Sequence, residues 1–291
     1  MRKFLIALLL LGSLLFVIGR LSEVESILNT LQRGSWLFIS LAVVLQIFWL
    51  VNVSLSYQVI FQLLGIEEKI SVLLPLTASM LFIGIVAPSA GVSSMALLIA
   101  EARKRGFSPA RAAVASALYI EFDYFGALSI AAVGLMVLFR RNTITLAEIT
   151  AAVLLFLAML FLGILLILGM RSANELGRAL AWLTRLINRI LHPLIRRDYL
   201  SDTRPQQFAH DAAEGLHDLR QNPRNLVIPA ILAITNKLLL LAILICIFLA
   251  FRVPIAPGTV IAGLGFSQLF MLISPTPAGL GVVEGTMTLL L

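Results

Sequence analysis

Charge is scarce in this chain, and so is cysteine. Charged residues fill 13% of 291 positions, against roughly 25% in an ordinary soluble domain. So few charges cannot clothe a water-exposed globule of this size. The lone cysteine, Cys246, lies inside an apolar run. No intrachain disulfide can form, and cysteine usage says nothing about compartment. Strand patterns, a nucleotide-binding loop, zinc-ligand spacings and a Gly-x-Ser-x-Gly elbow are all missing. Gly279 and Gly281 form a Gly-x-Gly without a preceding strand, so they are no dinucleotide fingerprint. His210, Glu214 and His217 have a helical, metal-like spacing, but the carboxylates that other helices would add to such a site are not evident. Asp211, Glu214 and Asp218 fit a solvated face opposite Ala209, Ala212, Leu216 and Leu219. No cofactor is expected. No nucleophile with a matching base is visible, so no enzymatic activity is expected either.

Apolar residues are abundant: 60% of the chain is hydrophobic and its mean hydropathy is +1.00. That composition predicts an all-α polytopic membrane protein. Met1-Arg2-Lys3 followed by Phe4–Gly19 has the outline of a signal peptide, but no small-x-small cleavage site follows. It is expected to be an uncleaved first helix with a cytoplasmic N-terminus. Residues 20–34 read as a short polar outer loop with an interfacial helix. Trp36 to Leu64 can span with tilt, with Trp36 and Trp49 as interfacial anchors. Further spans are expected at 112–139, 146–170 and 226–251. The polar 171–225 segment carries nine arginines, which places it in the cytoplasm. On this topology the inner loops hold 16 Lys and Arg, the outer loops 5, and Lys237 lies within a span.

Two stretches interrupt the apolar runs. At Ser274–Glu284, Pro275 and Pro277 stop a helix, Gly279 and Gly281 allow a turn closed to other residues, and Val282 can restart one. A weaker copy occupies Ala87-Pro88-Ser89-Ala90-Gly91-Val92. Broken backbone facing lipid would cost several kcal/mol per unsatisfied group, so a break must be covered by protein or line a wet cavity. Residues 70–86 and 93–100 are short for full spans, and a basic loop follows at 101–105. A re-entrant hairpin entering from inside fits those lengths; a single kinked helix is the alternative. The 257–291 hairpin would enter from the opposite face, as in inverted-topology repeats meeting near the midplane. The chain is thus read as one transmembrane domain, residues 1–291. A first repeat occupies about 36–139, a cytoplasmic amphipathic loop 171–225, and a second repeat about 226–291. Because it stops at Leu291 inside an apolar run, the chain is expected to lack its closing helices.

The run Pro275–Glu284 is similar to the late Pro-x-Gly-Gly-x-Gly-x-x-Glu element of the lysylphosphatidylglycerol synthase transmembrane region, or flippase-like, family. Residues 87–92, followed by a basic loop and a helix bearing Glu121 and Asp123, resemble its early element. Most of the chain is covered. The resemblance implies a multi-helix fold that moves polar lipids or lipid-linked precursors between leaflets. The soluble aminoacyl-transferase domain of some members is not in this sequence, so aminoacyl-lipid synthesis is not implied. Ser89 and Ser93 stand where the family is richer in glycine, and Phe122 where an arginine is frequent.

Several polar groups lie inside apolar stretches. Glu121 and Asp123 fall mid-span, where a charge costs about 2.5–3.5 kcal/mol on insertion scales. Two residues apart on a helix means about 200° of rotation, so they cannot share one wall. Glu121 is expected to face a cavity and Asp123 to take a structural partner, although both could be packing pairs or sit protonated. Lys237 needs a partner: Glu121, Asp123, Glu284 or a lipid phosphate. Glu284 either contacts a headgroup cation, moves a proton, or caps its helix. Ser89, Ser93, Ser94 and Thr276 offer hydroxyls beside freed amides, which suit phosphate or simply satisfy broken backbone. Arg178, Arg185, Arg189 and Arg196 line one helical face opposite a leucine and isoleucine stripe. Such a helix lies at an anionic lipid surface or anchors topology.

The sequence therefore predicts two inverted, broken-helix hairpins around a polar midplane cavity. Its expected substrate-binding residues are Ser89, Gly91, Ser93, Glu121, Lys237, Thr276, Gly279, Gly281 and Glu284. The expected function is leaflet-to-leaflet movement of a polar or anionic lipid by a multi-pass cell-membrane protein. A secondary transporter of a small anionic solute and a non-transporting subunit of an envelope-lipid enzyme are the alternatives. Expected partners are membrane lipids, with a second copy or an envelope-lipid enzyme possible; nucleic acid is not expected.

Overall fold

The computed structural model describes residues 29–86, 92–140, 146–195, 204–221, 223–254, 260–261, 263–265 and 267. These residues are helical with short connections. In order they form α1 (Trp36–Leu63), α2 (Ile70–Val86), α3 (Val92–Lys104), α4 (Pro109–Arg140), α5 (Leu146–Arg171), α6 (Ala173–Ile195), α7 (Arg204–Gln221), a 3-10 turn (Pro223–Leu226) and α8 (Val227–Ala250). Four helical stretches are long and apolar enough to cross a membrane: Trp36–Leu63, Pro109–Arg140, Ala152–Arg171 and Arg224–Ala250. Phenylalanines and aliphatics such as Phe48, Phe156, Leu157 and Ile231 are exposed on their flanks, as expected where lipid rather than water covers a helix. The expected first helix (4–19) and nearly all of the expected second hairpin (257–291) lie outside the described residues.

Two helix ends show why their glycines are there. After α1, Gly65 takes φ +70°; its N–H bonds Gln62 O and the Ile66 N–H bonds Phe61 O at 2.9 Å. After α3, Gly106 takes φ +80°, with Gly106 bonding Arg103 O and Phe107 bonding Ala102 O at 2.9 Å. Both are left-handed caps that satisfy terminal carbonyls; the next residue is buried after the first (Ile66) and partly buried after the second (Phe107). Ile66 and Phe107, the two residues after the caps, line one small crevice together with Phe61, Leu73 and Leu98.

That shared crevice folds α2 back against α3. Ser94 Oγ donates to Met80 O at 2.7 Å near the inner end of the pair. At the outer end Arg105 and Glu68 meet at 3.5 Å, and Gln58 of α1 donates to Glu68 O. The two helices are therefore antiparallel, with both outer ends on one side of the bundle. At about 1.5 Å per residue, 17 and 13 residues reach only about 25 and 20 Å. Neither matches the roughly 30 Å of a bilayer core.

The backbone of the bundle is the antiparallel crossing of α1 and α8. Ser35 N–H bonds Ala250 O at 2.8 Å at one end, and Asn52 Nδ2 bonds Leu232 O at 3.0 Å further along. α4 lies against α8 at Gly126, where an added Cβ would sit 2.9 Å from Ala233 O. Residues 263–265 approach α4 similarly, a Cβ on Gly265 falling 3.0 Å from Ala131 Cα.

The 171–225 segment is more than a solvated loop. α6 is amphipathic as expected, and α7 follows it. Ala209, Ala212, Leu216 and Leu219 of α7 are buried, as is Leu176 of α6. Leu216 and Leu176 pack on Gly169 at the end of α5. Arg111 of α4 meets Glu214 at 3.1 Å. Glu214 is thereby an ion-pair partner, and among the described residues no cluster of His, Cys, Asp or Glu could share a metal.

Candidate functional site

Three helices and the α2–α3 pair line a cavity of about 400 Å3. α1 contributes Trp49, Val53 and Tyr57; α2 contributes Thr77, Met80, Leu81 and Gly84; α3 contributes Ser94 and Met95. α4 adds Ser116, Tyr119, Ile120 and Asp123, and α8 adds Asn236, Lys237 and Leu240. The wall thus mixes hydroxyls, an amide and an ion pair with methionine and aliphatic surface. Such a mixture suits a ligand with a polar end and an apolar remainder.

Its charged feature is the contact between Lys237 Nζ and Asp123 Oδ1, at 2.6 Å. The lysine side chain is 3% exposed and the aspartate 31%. An ammonium so buried needs a counter-charge, and the sequence left open which acid supplies it. Asp123 does, because Gly126 lets α4 approach α8 within reach of Lys237 Cγ. Both residues line the cavity, and Asp123 is the more exposed of the two, so the pair offers the cavity a carboxylate backed by a buried cation.

Hydrogen bonds and rings hold this pair in place. Trp49 Nε1 donates to Asn236 Oδ1 at 3.1 Å, which fixes the residue preceding Lys237. Trp49 is therefore a structural donor inside the bundle, although the sequence suggested an interfacial anchor. Tyr119, one helical turn before Asp123, stacks on Tyr57 with centroids 4.4 Å apart and planes 16° apart. Tyr57 also meets Phe61 edge-on at 6.5 Å. These contacts lock α1 to α4 beside the ion pair, since offset stacks and edge contacts favour one ring geometry.

The second acid of α4 is placed elsewhere. Glu121 does not line the cavity; its Oε1 lies 3.0 Å from where a Cβ on Gly163 of α5 would be. Asp123 thus takes the structural partner expected of it and also lines the cavity, whereas Glu121, expected at the cavity, is not among its lining residues. Helical geometry permitted either arrangement, and the α4–α8 contact selected this one. Glu121 Oε2 is buried with no hydrogen-bond partner among the described residues.

Of the other residues expected at the site, Ser93 opens α3 beside the cavity-lining Ser94. Ser89, Gly91, Thr276, Gly279, Gly281 and Glu284 lie outside the described residues, as does Arg196. On α6, Arg178 and Arg185 are exposed, Trp182 between them is 57% exposed, and Arg189 follows on the same helix. Sequence reasoning missed Tyr57, Thr77 and Ser116 as cavity residues. Asn52 and Asn236 carried the clearest overlooked signal, being amides in runs that otherwise avoid them.

No curated protein and no solved structure matches this chain. A family profile, that of the lysylphosphatidylglycerol synthase TM region, matches residues 4–291, essentially the whole sequence. With its apolar spanning helices and polar core, the chain belongs to that family of integral membrane proteins.

Proposed function

We propose that this protein moves a polar or anionic lipid, a phospholipid or lipid-linked precursor, from one leaflet to the other. The observation that carries the reading is the Asp123–Lys237 pair in the wall of a cavity of about 400 Å3. A headgroup phosphate would exchange for the Asp123 carboxylate on Lys237, while Ser94, Thr77 and Asn236 offer further polar contacts. Met80, Leu81, Met95 and Leu240 supply the apolar side along which acyl chains would stay. Nothing in this scheme breaks a covalent bond, so the protein acts as a carrier and not as an enzyme, without a cofactor.

In this reading the α2–α3 pair is a re-entrant hairpin. Both its outer ends lie on the side that carries Lys69, Arg103, Lys104, Arg105, Arg111, Arg171 and α6. By the positive-inside tendency that side is cytoplasmic, and in this reading the N-terminus lies on the same side of a cell membrane. The 257–291 segment would supply the inverted counterpart. α6 lies in the interface: Arg178, Trp182 and Arg185 recur at helical spacing, and each arginine near an anionic surface adds about 1 kcal/mol of attraction.

The test is lipid transfer in proteoliposomes with a headgroup-labelled lipid and an impermeant quencher. Wild-type protein should expose inner-leaflet label to the quencher, and Lys237→Met should reduce the rate by more than about tenfold. Unchanged transfer in Lys237→Met sinks the site assignment. Transport of a small soluble anion with no lipid transfer by the wild type sinks the lipid reading itself.

A further inference from the structure

Glu121 is a charged-type side chain midway along a spanning helix that the transfer scheme does not use. Its position is unusual for a carboxylate. Oε2 is buried and has no hydrogen-bond partner among the described residues. The carboxyl packs on the bare backbone of Gly163, where an added Cβ would stand 3.0 Å from Oε1. Glycine is what leaves room for the group at this contact between α4 and α5.

Among the described residues no positive charge pairs with it. On α5 the ionisable residues are Glu148 and Arg171, about 22 and 12 Å along the axis from Gly163 at 1.5 Å per residue. On α4, Tyr124 follows by three residues on the same side, and Asp123 points to α8. Lys237 of α8 is held by Asp123 at 2.6 Å. A carboxylate without a cation or a hydrogen-bond donor on a buried oxygen is the arrangement that membrane interiors most disfavour. A carboxylic acid is tolerated there, since its charge is gone. A metal cation would need several further oxygen ligands, and no cluster of acidic, His or Cys side chains able to hold one occurs among the described residues.

We infer that Glu121 is a proton-binding site, loaded while α5 packs on α4 through Gly163 and discharged when that contact opens to water. Loading forms one carboxyl O–H bond with a proton from bulk water; discharge returns it. The inference holds whatever the cavity carries, and its failure is distinct from failure of the transfer reading.

The experiment is labelling of the purified chain in lipid nanodiscs with dicyclohexylcarbodiimide, an apolar reagent that attacks protonated carboxyls, followed by peptide mass spectrometry. Glu121 should be modified, and its rate should fall at least about tenfold as pH is raised from 6 to 10. Asp123, paired with Lys237, should stay unmodified. Sodium chloride should give no more protection than choline chloride. The isosteric Glu121→Gln variant, shown to be monodisperse, should lose the label without changing Asp123. A rate independent of pH, protection by sodium specifically, or modification of Asp123 in place of Glu121 would overturn the site.

Discussion

Glu121 and Asp123 are separated only by Phe122, yet they live in different surroundings. Asp123 meets a buried ammonium at 2.6 Å and opens onto a cavity. Glu121 meets a glycine backbone, and one of its oxygens has no partner. Both lie midway along the same membrane-length helix, so depth does not separate them. What differs is the neighbour across each face: α8, with Lys237, on one side and α5, with Gly163, on the other. An intramembrane acid is therefore defined by what the adjacent helix presents, and two acids on one helix can serve an ion pair and a proton.

The largest effect should come from making Asp123 resemble Glu121, an acid without a cation. Lys237→Met does this, and breaking a buried pair from one side costs about 3 kcal/mol, the low end of the range because Asp123 is partly exposed. Thermal unfolding in detergent should show that loss, and Asp123→Asn added to Lys237→Met should restore most of it. If the double variant is no better than the single one, the pair is not what sets the cost.

Gly126→Ala attacks the contact that brings the two charges together. Its methyl would fall 2.9 Å from Ala233 O, a backbone atom that cannot swing aside. Overpacking of this kind costs about 1–3 kcal/mol and should push Lys237 from Asp123, slowing lipid transfer as well. Wild-type transfer in a stable Gly126→Ala protein would show that the α4–α8 distance is not critical. Asn236→Ala should cost about 1 kcal/mol by leaving the Trp49 indole N–H without its acceptor, which unfolding midpoints can measure.

The smallest effect belongs to an ion pair of similar length out in water. Arg105 Nε lies 2.9 Å from Glu101, and that hydrogen bond holds the Glu101 carboxyl below the usual carboxylate range. A depressed carboxyl contributes stability above its unfolded range and loses it as pH falls through the depressed value. Arg105→Ala should therefore shift unfolding slightly near neutral pH, and the shift should vanish in acid. A persistent difference in acid would mean that Arg105 acts through packing at the α3 cap.

Much of the fold was legible in residues taken one stretch at a time. The spans at 112–139, 146–170 and 226–251 match helices within a few residues because apolar runs of that length have one economical use in a membrane protein. The candidate site was less legible. Lys237 announced itself as a charge in an apolar run, but its partner did not, and Trp49 looked like an anchor until Asn236 was found beside it. Those contacts join residues 114 and 187 positions apart, and no local pattern encodes such a distance. The α6–α7 layer was half visible: its amphipathic face could be read, whereas its docking on Gly169 and Arg111 could not.

By itself the sequence determined the solvent of this protein, the stretches that cross it, and the family to which the chain belongs, because hydropathy and motif spacing are properties of neighbours in the chain. It also required Glu121 and Asp123 to point apart, since helical rotation fixes their relative angle. Only the tertiary structure decided which of them met the lysine. Turning α4 about its axis would exchange their roles at no cost to its own hydrogen bonds. The packing of Gly126 on α8 and of Gly163 against Glu121 removes that freedom.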